Sequence, residues 1–382
     1  MRNLLLPLIL VIAGAQPASA QQSAEDIVQS ILFNNTTLKA EADATAASQA
    51  ENLTGLMLAD PEVEFNFFWG SPHDIGNRHD LNITQRFDYA TLFGMKRRLA
   101  RDRNEVLNLE QQMRRLTLEG EARQSLVELT YLNLRQAQQD ERIATAQSLV
   151  QKYQQAVKQG DATRLERDKA QLALTTLLAE RDELTIEQRK LLARLRMMNG
   201  GKAVAYTATA YDSLHAGNTR QATMELLDAQ ERATDQEVRN SQAANLPELT
   251  LGYVSEITAG EKFRGLTLGL SIPLWSNRAG VRSTRARQEA QRSQAQDVRL
   301  QFEQQCQSLK EDMESHRQLA DRLRQTLAQS TTLSLLKRAL DLGELSLLDY
   351  LQEASLLYDL QDKALQAEHD YQQARCAWLL VK

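Results

Sequence analysis

Proline punctuates this chain sparsely, and its placement limits what the chain can fold into. After residue 20 it occurs only at Pro61, Pro72, Pro247 and Pro273. None lies between Pro72 and Pro247, and none follows Pro273. A proline inside a helix costs about 3 kcal/mol, because it removes an N–H and clashes with the preceding turn. The two proline-free tracts are therefore open to very long helices. Leu, Ala, Gln, Glu and Arg dominate them, and aromatics make up only 5% of the 382 residues, the composition of long helices and coiled coils.

Leucine spacing agrees. Leu177, Leu184, Leu191 and Met198 recur every seven residues, as Leu109 and Leu116 do earlier. Leu126, Val127, Leu129 and Leu134 fall on one broad stripe. Such spacing makes an apolar seam for neighbouring helices, with the intervening polar residues facing water. The seam reads as bundle core, not as a cofactor site.

Around the prolines the period changes to two. Glu62 to Phe67 alternates, as does Leu81 to Tyr89. A second pair follows at Leu249–Tyr253 and Leu266–Ile272. Alternation marks strands with one apolar and one polar face. Each pair is joined by a polar loop containing glycine, Gly70 to Asp80 and Ser255 to Gly265.

The two regions repeat each other. Asp60-Pro61-Glu62 matches Leu246-Pro247-Glu248, and Gly94 matches Gly280, at an offset of 186. Lys158-Gln159-Gly160-Asp161 matches Asp341-Leu342-Gly343-Glu344 at an offset of 183, so the second long helix is three residues shorter. A tandem structural repeat follows. Each copy reads as a helix, a hairpin, a very long helix, a Gly break and a returning helix. The helices are expected near Ala24–Leu58, Leu92–Lys158 and Thr163–Met198, then Gln221–Ala243, Val281–Asp341 and Leu345–Val381. The long helix of the first copy would reach about 100 Å at 1.5 Å per residue. The division is 1–20 signal peptide, 21–200 first helix–hairpin–helix repeat, 201–217 linker and 218–382 second repeat.

Export is read from the N-terminus. Arg2 precedes an apolar run from Leu4 to Ala13, and Ala18-Ser19-Ala20 has the small-x-small pattern of a cleavage site. The run is short for a bilayer-spanning anchor, the other reading. Later residues hold no apolar run long enough for a transmembrane helix. The net charge of −5 argues against nucleic acid as a partner. Cys306 and Cys376 can be a disulfide in an oxidising compartment or two free thiols.

The four strands, about eight to ten residues each, have the length of a tilted bilayer crossing. Their apolar face carries Val63, Phe65, Phe67, Leu81, Ile83, Phe87, Leu249, Leu251, Tyr253, Leu266, Leu268, Leu270 and Ile272. Trp69, Tyr89, Tyr253 and Trp275 sit at strand ends, where interface girdles lie. In lipid a sheet must close, and four strands are too few. The chain then has to oligomerise. The other reading is a small soluble β-domain covered by helices.

The sequence resembles the TolC family of outer-membrane efflux proteins. The resemblance rests on Leu246-Pro247-Glu248-Leu249-Thr250-Leu251, on Gly265 to Trp275, and on Leu342-Gly343-Glu344-Leu345-Ser346-Leu347-Leu348-Asp349-Tyr350-Leu351. The last is similar to the family's G-x-x-[ST]-x-x-D-[VY]-L turn. It implies a mainly α fold in which long coiled-coil helices form a periplasmic α-barrel. Each chain of a homotrimer would add four strands to a shared β-barrel in outer-membrane lipid. It implies an export duct working with a periplasmic adaptor (membrane fusion) protein and an inner-membrane RND or ABC pump. Gln159, Gly160 and Asp161, and Leu342, Gly343 and Glu344, would be adaptor-facing tips. Glu166 and Asp349, six residues past each tip Gly, would be periplasmic-mouth acids; each is equally a helix-start acid favoured by the dipole. Gln352 and Leu345 depart from a second acid and a tip Arg found in the family. The rival function is a soluble periplasmic coiled-coil adaptor.

No cofactor is implied. His73-Asp74 and His79-Asp80 invite a metal reading, but their spacing matches no established site, and a polar loop accounts for them. His215, His316 and His369 read as surface residues. GxSxG, P-loop, HExxH and CxxC motifs are missing, so an enzyme is not expected.

Overall fold

The computed structural model describes residues 23–212, 217–258, 260–273 and 278–382. The signal-peptide stretch, His215 and Trp275 lie outside them. The elements are α1 (Ala24–Asn34), α2 (Thr36–Asn52), β1 (Glu62–Phe68), β2 (Arg78–Phe87), α3 (Tyr89–Leu92), α4 (Met95–Gln159), α5 (Arg164–Met198), α6 (Thr219–Ala243), β3 (Glu248–Thr258), β4 (Glu261–Ser271), α7 (Arg278–Ala328), α8 (Thr332–Asp341) and α9 (Leu347–Val381). A single 3-10 turn, His73–Ile75, lies between β1 and β2. Contacts group the chain into two compact units, one holding the residues up to Phe33 with Ser125–Asp212, the other Asn34–Gln124 with 217–382.

The first unit is helical. Ile27, Val28 and Ile31 of α1, Leu129 and Leu132 of α4 and Leu195 of α5 are buried. On α5 the heptad positions are all inward or half-buried, with Leu184 the deepest. The 125–133 stretch of α4 is buried all round rather than along one stripe, because the extended segment after α5 covers its other side. There Tyr206 hydroxyl meets Thr130 Oγ1 at 3.1 Å, and Asn133 Nδ2 donates to Ala208 O at 3.0 Å. These bonds satisfy polar groups that burial would otherwise leave costly.

The second unit holds the sheet, ordered β1-β2-β3-β4 and antiparallel throughout. Each copy contributes one hairpin, and β2 pairs with β3 to join the copies into one sheet. Thr258 pairs with Glu261, so the second hairpin closes tightly around Gly260 (φ +90°), not through a long loop. Both of its strands are longer than the alternation implied. Tyr253 therefore lies mid-strand instead of at an end. Below the sheet α7 packs on α6 and α9.

Three helices also differ from expectation. The first breaks at Asn35, whose Oδ1 accepts from Leu38 N at 2.8 Å and caps α2. The second long helix breaks at 329–331. There Ser330 Oγ contacts Thr332 Oγ1 at 3.0 Å and Ser334 Oγ donates to Thr331 O at 2.8 Å, local bonds that compete with the helix ladder. Gly94 separates α3 from α4 at φ +66°, whereas Gly280 lies inside α7, so the repeat is inexact there.

Leu129→Ala removes a side chain with no exposure. It is expected to cost about 2–5 kcal/mol, read as a lower denaturant midpoint of the helical signal. An unchanged midpoint would contradict this account of the α4 core.

Candidate functional site

Two features carry chemical information: the faces of the sheet and the turns at Gly160 and Gly343. In the sheet the strand register sets the rows. Val63, Ile83, Tyr253 and Leu266 form one fully apolar row. The next row toward the hairpin tips is Phe65, Leu81, Ser255 and Arg264, and the next toward the helices holds Gln85, Leu251 and Leu268. From that first row the apolar residues run toward the tip in β1, Val63 to Phe67, and toward the helices in β4, Leu266 to Leu270, with Ile272 just past the strand. The band thus slants across the strands, as it must if tilted strands cross a flat apolar slab. It has no cover among the described residues. Leu266 is 90% exposed, Leu268 73% and Leu270 62%. Along the other face run Glu64, Asn82, Thr84, Thr250 and Thr267, and Asn82 Nδ2 donates to Glu64 Oε2 at 3.4 Å. Arg78 Nε reaches Asp80 at 2.8 Å and Glu256 at 3.2 Å, and Arg86 pairs with Glu62.

The same register disposes of the loop metal reading for His79 and Asp80. As consecutive strand residues they point to opposite faces. His79 sits against Phe67, ring centroids 4.6 Å apart, while Asp80 is held by Arg78. Among the described residues no three His, Cys, Asp or Glu converge on a metal position.

The two turns are built alike. Gly160 (φ +86°) and Gly343 (φ +74°) end α4 and α8 in the left-handed conformation that glycine adopts most cheaply. Asp161 N donates to Ala156 O and Glu344 N to Ala339 O, both at 2.9 Å, closing a Schellman turn in each copy. Three residues past each Gly a hydroxyl residue caps the next helix. Thr163 Oγ1 accepts from Glu166 N at 3.2 Å, and Glu166 Oε2 takes Thr163 N in return at 2.8 Å, a complete capping box. Ser346 Oγ accepts from Asp349 N at 3.2 Å and donates to Asp349 Oδ2 at 2.6 Å.

Glu166 thus caps a helix through its carboxylate, whereas the Asp349 carboxylate braces the Ser346 cap hydroxyl; the two lie in different compact units. Bonds from the Thr163 backbone and hydroxyl, aided by Lys169, hold the Glu166 carboxyl below its ordinary value of 4.5. Sequence reading singled out the acids but gave Thr163 and Ser346 no capping role, though a hydroxyl residue three before an acid is the capping-box signature. It placed Leu342 at a tip but gave no role to two other exposed leucines beside the turns, Leu165 in one unit and Leu348 in the other.

Other reactive groups are inert. Both cysteines are free, and burial pushes the Cys376 thiol up to about 11. His369 is buried, not on the surface, with Nδ1 3.1 Å from Asp370 Oδ1. No helix among the described residues is long and apolar enough to cross a membrane.

No family model and no curated protein matches the sequence. Solved structures do match. A membrane protein from Pseudomonas aeruginosa aligns over 94% of this chain and 93% of its own, at 14% identity and a TM-score of 0.75. The outer-membrane channel OprN aligns over 94% and 89%, at 16% identity and a TM-score of 0.74. The outer-membrane protein VceC from Vibrio cholerae aligns over 94% and 95%, at 14% identity and a TM-score of 0.71. The chain therefore has the fold of outer-membrane channels. This is the architecture that its resemblance to the TolC family implied.

The Thr163–Glu166 box can be tested alone. A depressed carboxyl contributes stability that is fully present above the ordinary glutamate range and is lost as pH falls through its lower folded value. Thr163→Ala should cost about 1 kcal/mol near pH 7, and the deficit should shrink below about pH 4 as the carboxylate protonates. A deficit that does not change with pH would contradict the box.

Proposed function

We propose that this chain is the outer-membrane channel component of a tripartite efflux or type I secretion system. It acts as a passive duct, working as a homotrimer with a periplasmic adaptor and an inner-membrane RND or ABC pump. The observation that carries the reading is the uncovered apolar band on a four-strand sheet with two open edges. In water that band would favour aggregation. In lipid the band is favourable, but the open edges would leave amides unpaired. Closing the sheet through further copies of the chain meets both demands. A soluble adaptor would leave the band facing water. The fold shared with outer-membrane channels supports the same location and role.

In this reading the turns at Gln159-Gly160-Asp161 and Leu342-Gly343-Glu344 are the adaptor-facing tips. The exposed Leu165, Leu342 and Leu348 offer apolar contacts there. Glu166 and Asp349 then have two roles, completing or bracing a helix cap and presenting negative charge at the periplasmic mouth. The lowered pKa of Glu166 keeps it ionised at neutral pH.

Two measurements test this. Leu268→Arg puts a charge on the lipid face, at about 2–4 kcal/mol per chain near the membrane midplane. It should abolish recovery of a heat-modifiable trimer from outer membranes; a normal yield of membrane trimer would overturn the reading of the sheet. Glu166→Gln with Asp349→Asn retains hydrogen-bonding groups at both caps while removing the charge. In planar bilayers the pair should lower cation preference without loss of conductance. Unchanged selectivity would overturn the mouth-acid role.

A further inference from the structure

The two faces of the sheet continue onto the helices directly beneath it, and their charges differ. Lys96 belongs to the polar side. It pairs with Asp88 at 3.1 Å and lines a cavity of about 400 Å³ together with Arg86 and Glu248 of the polar sheet face. An α-helix turns about 100° per residue, so Arg98 lies about 200° and Arg101 about 140° further round, away from that cavity. Both are exposed. On α7, Arg287 shares Glu237 with Arg103 on the side of Lys96, at 3.7 and 3.6 Å. Arg285, two residues before Arg287, lies on the opposite side.

That opposite side holds a groove between α6 and α7 of about 580 Å³, floored by the buried Val238 and edged by Arg239 and Arg285. Its other arginine, Arg292, is held by Asp235 at 3.0 Å. Glu289 also lines it, and the nearby Glu105 is taken by Arg232 at 2.7 Å. Among the described residues, Arg98, Arg239, Arg278, Arg282 and Arg285 have no carboxylate within ion-pair distance, and Arg101 has only its neighbour Asp102 at 3.5 Å. This cluster of cations lies on the helix segments that adjoin the sheet in the chain, and Leu92 and Phe93, a few residues before Arg98, are exposed. Neither α4 nor α7 has an acid in its first turn, whereas α5 and α9 do. Cations at a helix start oppose the dipole, so local helix stability does not account for them.

We propose that Arg98, Arg101, Arg239, Arg278, Arg282 and Arg285 form a docking surface for anionic glycerophospholipid headgroups. The leaflet is the one on the helix side of the membrane, and the α6–α7 groove holds one phosphate. Charge complementarity and continuity with the lipid-facing band argue for this occupant. The inference rests on the membrane reading of the sheet.

The full chain is reconstituted into vesicles of phosphatidylethanolamine, with or without phosphatidylglycerol, and insertion is read by protease protection. Lipid kept through detergent extraction is then counted by native mass spectrometry. Wild type should retain phosphatidylglycerol over phosphatidylethanolamine, and added salt should erode the preference. Arg239→Gln with Arg285→Gln should lower retention about fivefold per arginine removed, as expected for cations near an anionic surface, with insertion unchanged. Insertion without headgroup preference in wild type overturns this inference alone. Failure to insert into any vesicle overturns it together with the channel reading. Loss of the trimer in the double variant, with lipid retention per chain unchanged, would assign the groove to a second copy of the chain and overturn the inference.

Discussion

An open sheet edge in hydrocarbon has nowhere to place its amides, and the rest of the structure follows from that difficulty. Among the described residues, β1 and β4 each have one side unpaired. Their apolar side chains are turned outward and uncovered. A sheet packed under helices would bury that face and tolerate its edges in water. Here the face is bare among the described residues, and in the proposed membrane setting the edges would need partners of the same kind. The helices add a second demand, because α4 runs 65 residues without a break. A helix of that length gains most of its stability from lateral packing, not from propensity.

Much of this was legible in the sequence because it depends on periodicity. A period of two with bulky apolar residues, set between proline-free heptads, specifies hairpins between long helices. The Gly160 and Gly343 turns were legible for a related reason, since a left-handed residue after a helix is most often glycine. The strand ends were less so. Ser255, Lys262 and Arg264 interrupt the apolar alternation on the outer face, and the strands continue through them because backbone pairing, not side-chain polarity, extends a ladder once its register is set. Tyr253 was misplaced for that reason.

The helix breaks were hidden differently. Asn35 and Ser330 interrupt their helices through side-chain bonds to nearby groups, and in an otherwise helical run such residues read as ordinary polar positions. His369 looked like a surface residue because its burial comes from tertiary packing of α9. The acids at 166 and 349 were found, but only the geometry shows that Glu166 completes a capping box and that Asp349 holds the hydroxyl of the Ser346 cap. The arginines beneath the sheet were invisible as a group. They lie on three helices, and only the fold brings α4, α6 and α7 side by side.

The central claim is that one face of β4 meets lipid and the other meets water. Spin labels placed singly at residues 266 to 270 of the full chain in a bilayer test it directly, through collision with oxygen and with a water-soluble nickel chelate. The account requires strict alternation, with oxygen access high at 266, 268 and 270 and nickel access high at 267 and 269. Nickel access at all five positions, or at none, would contradict it.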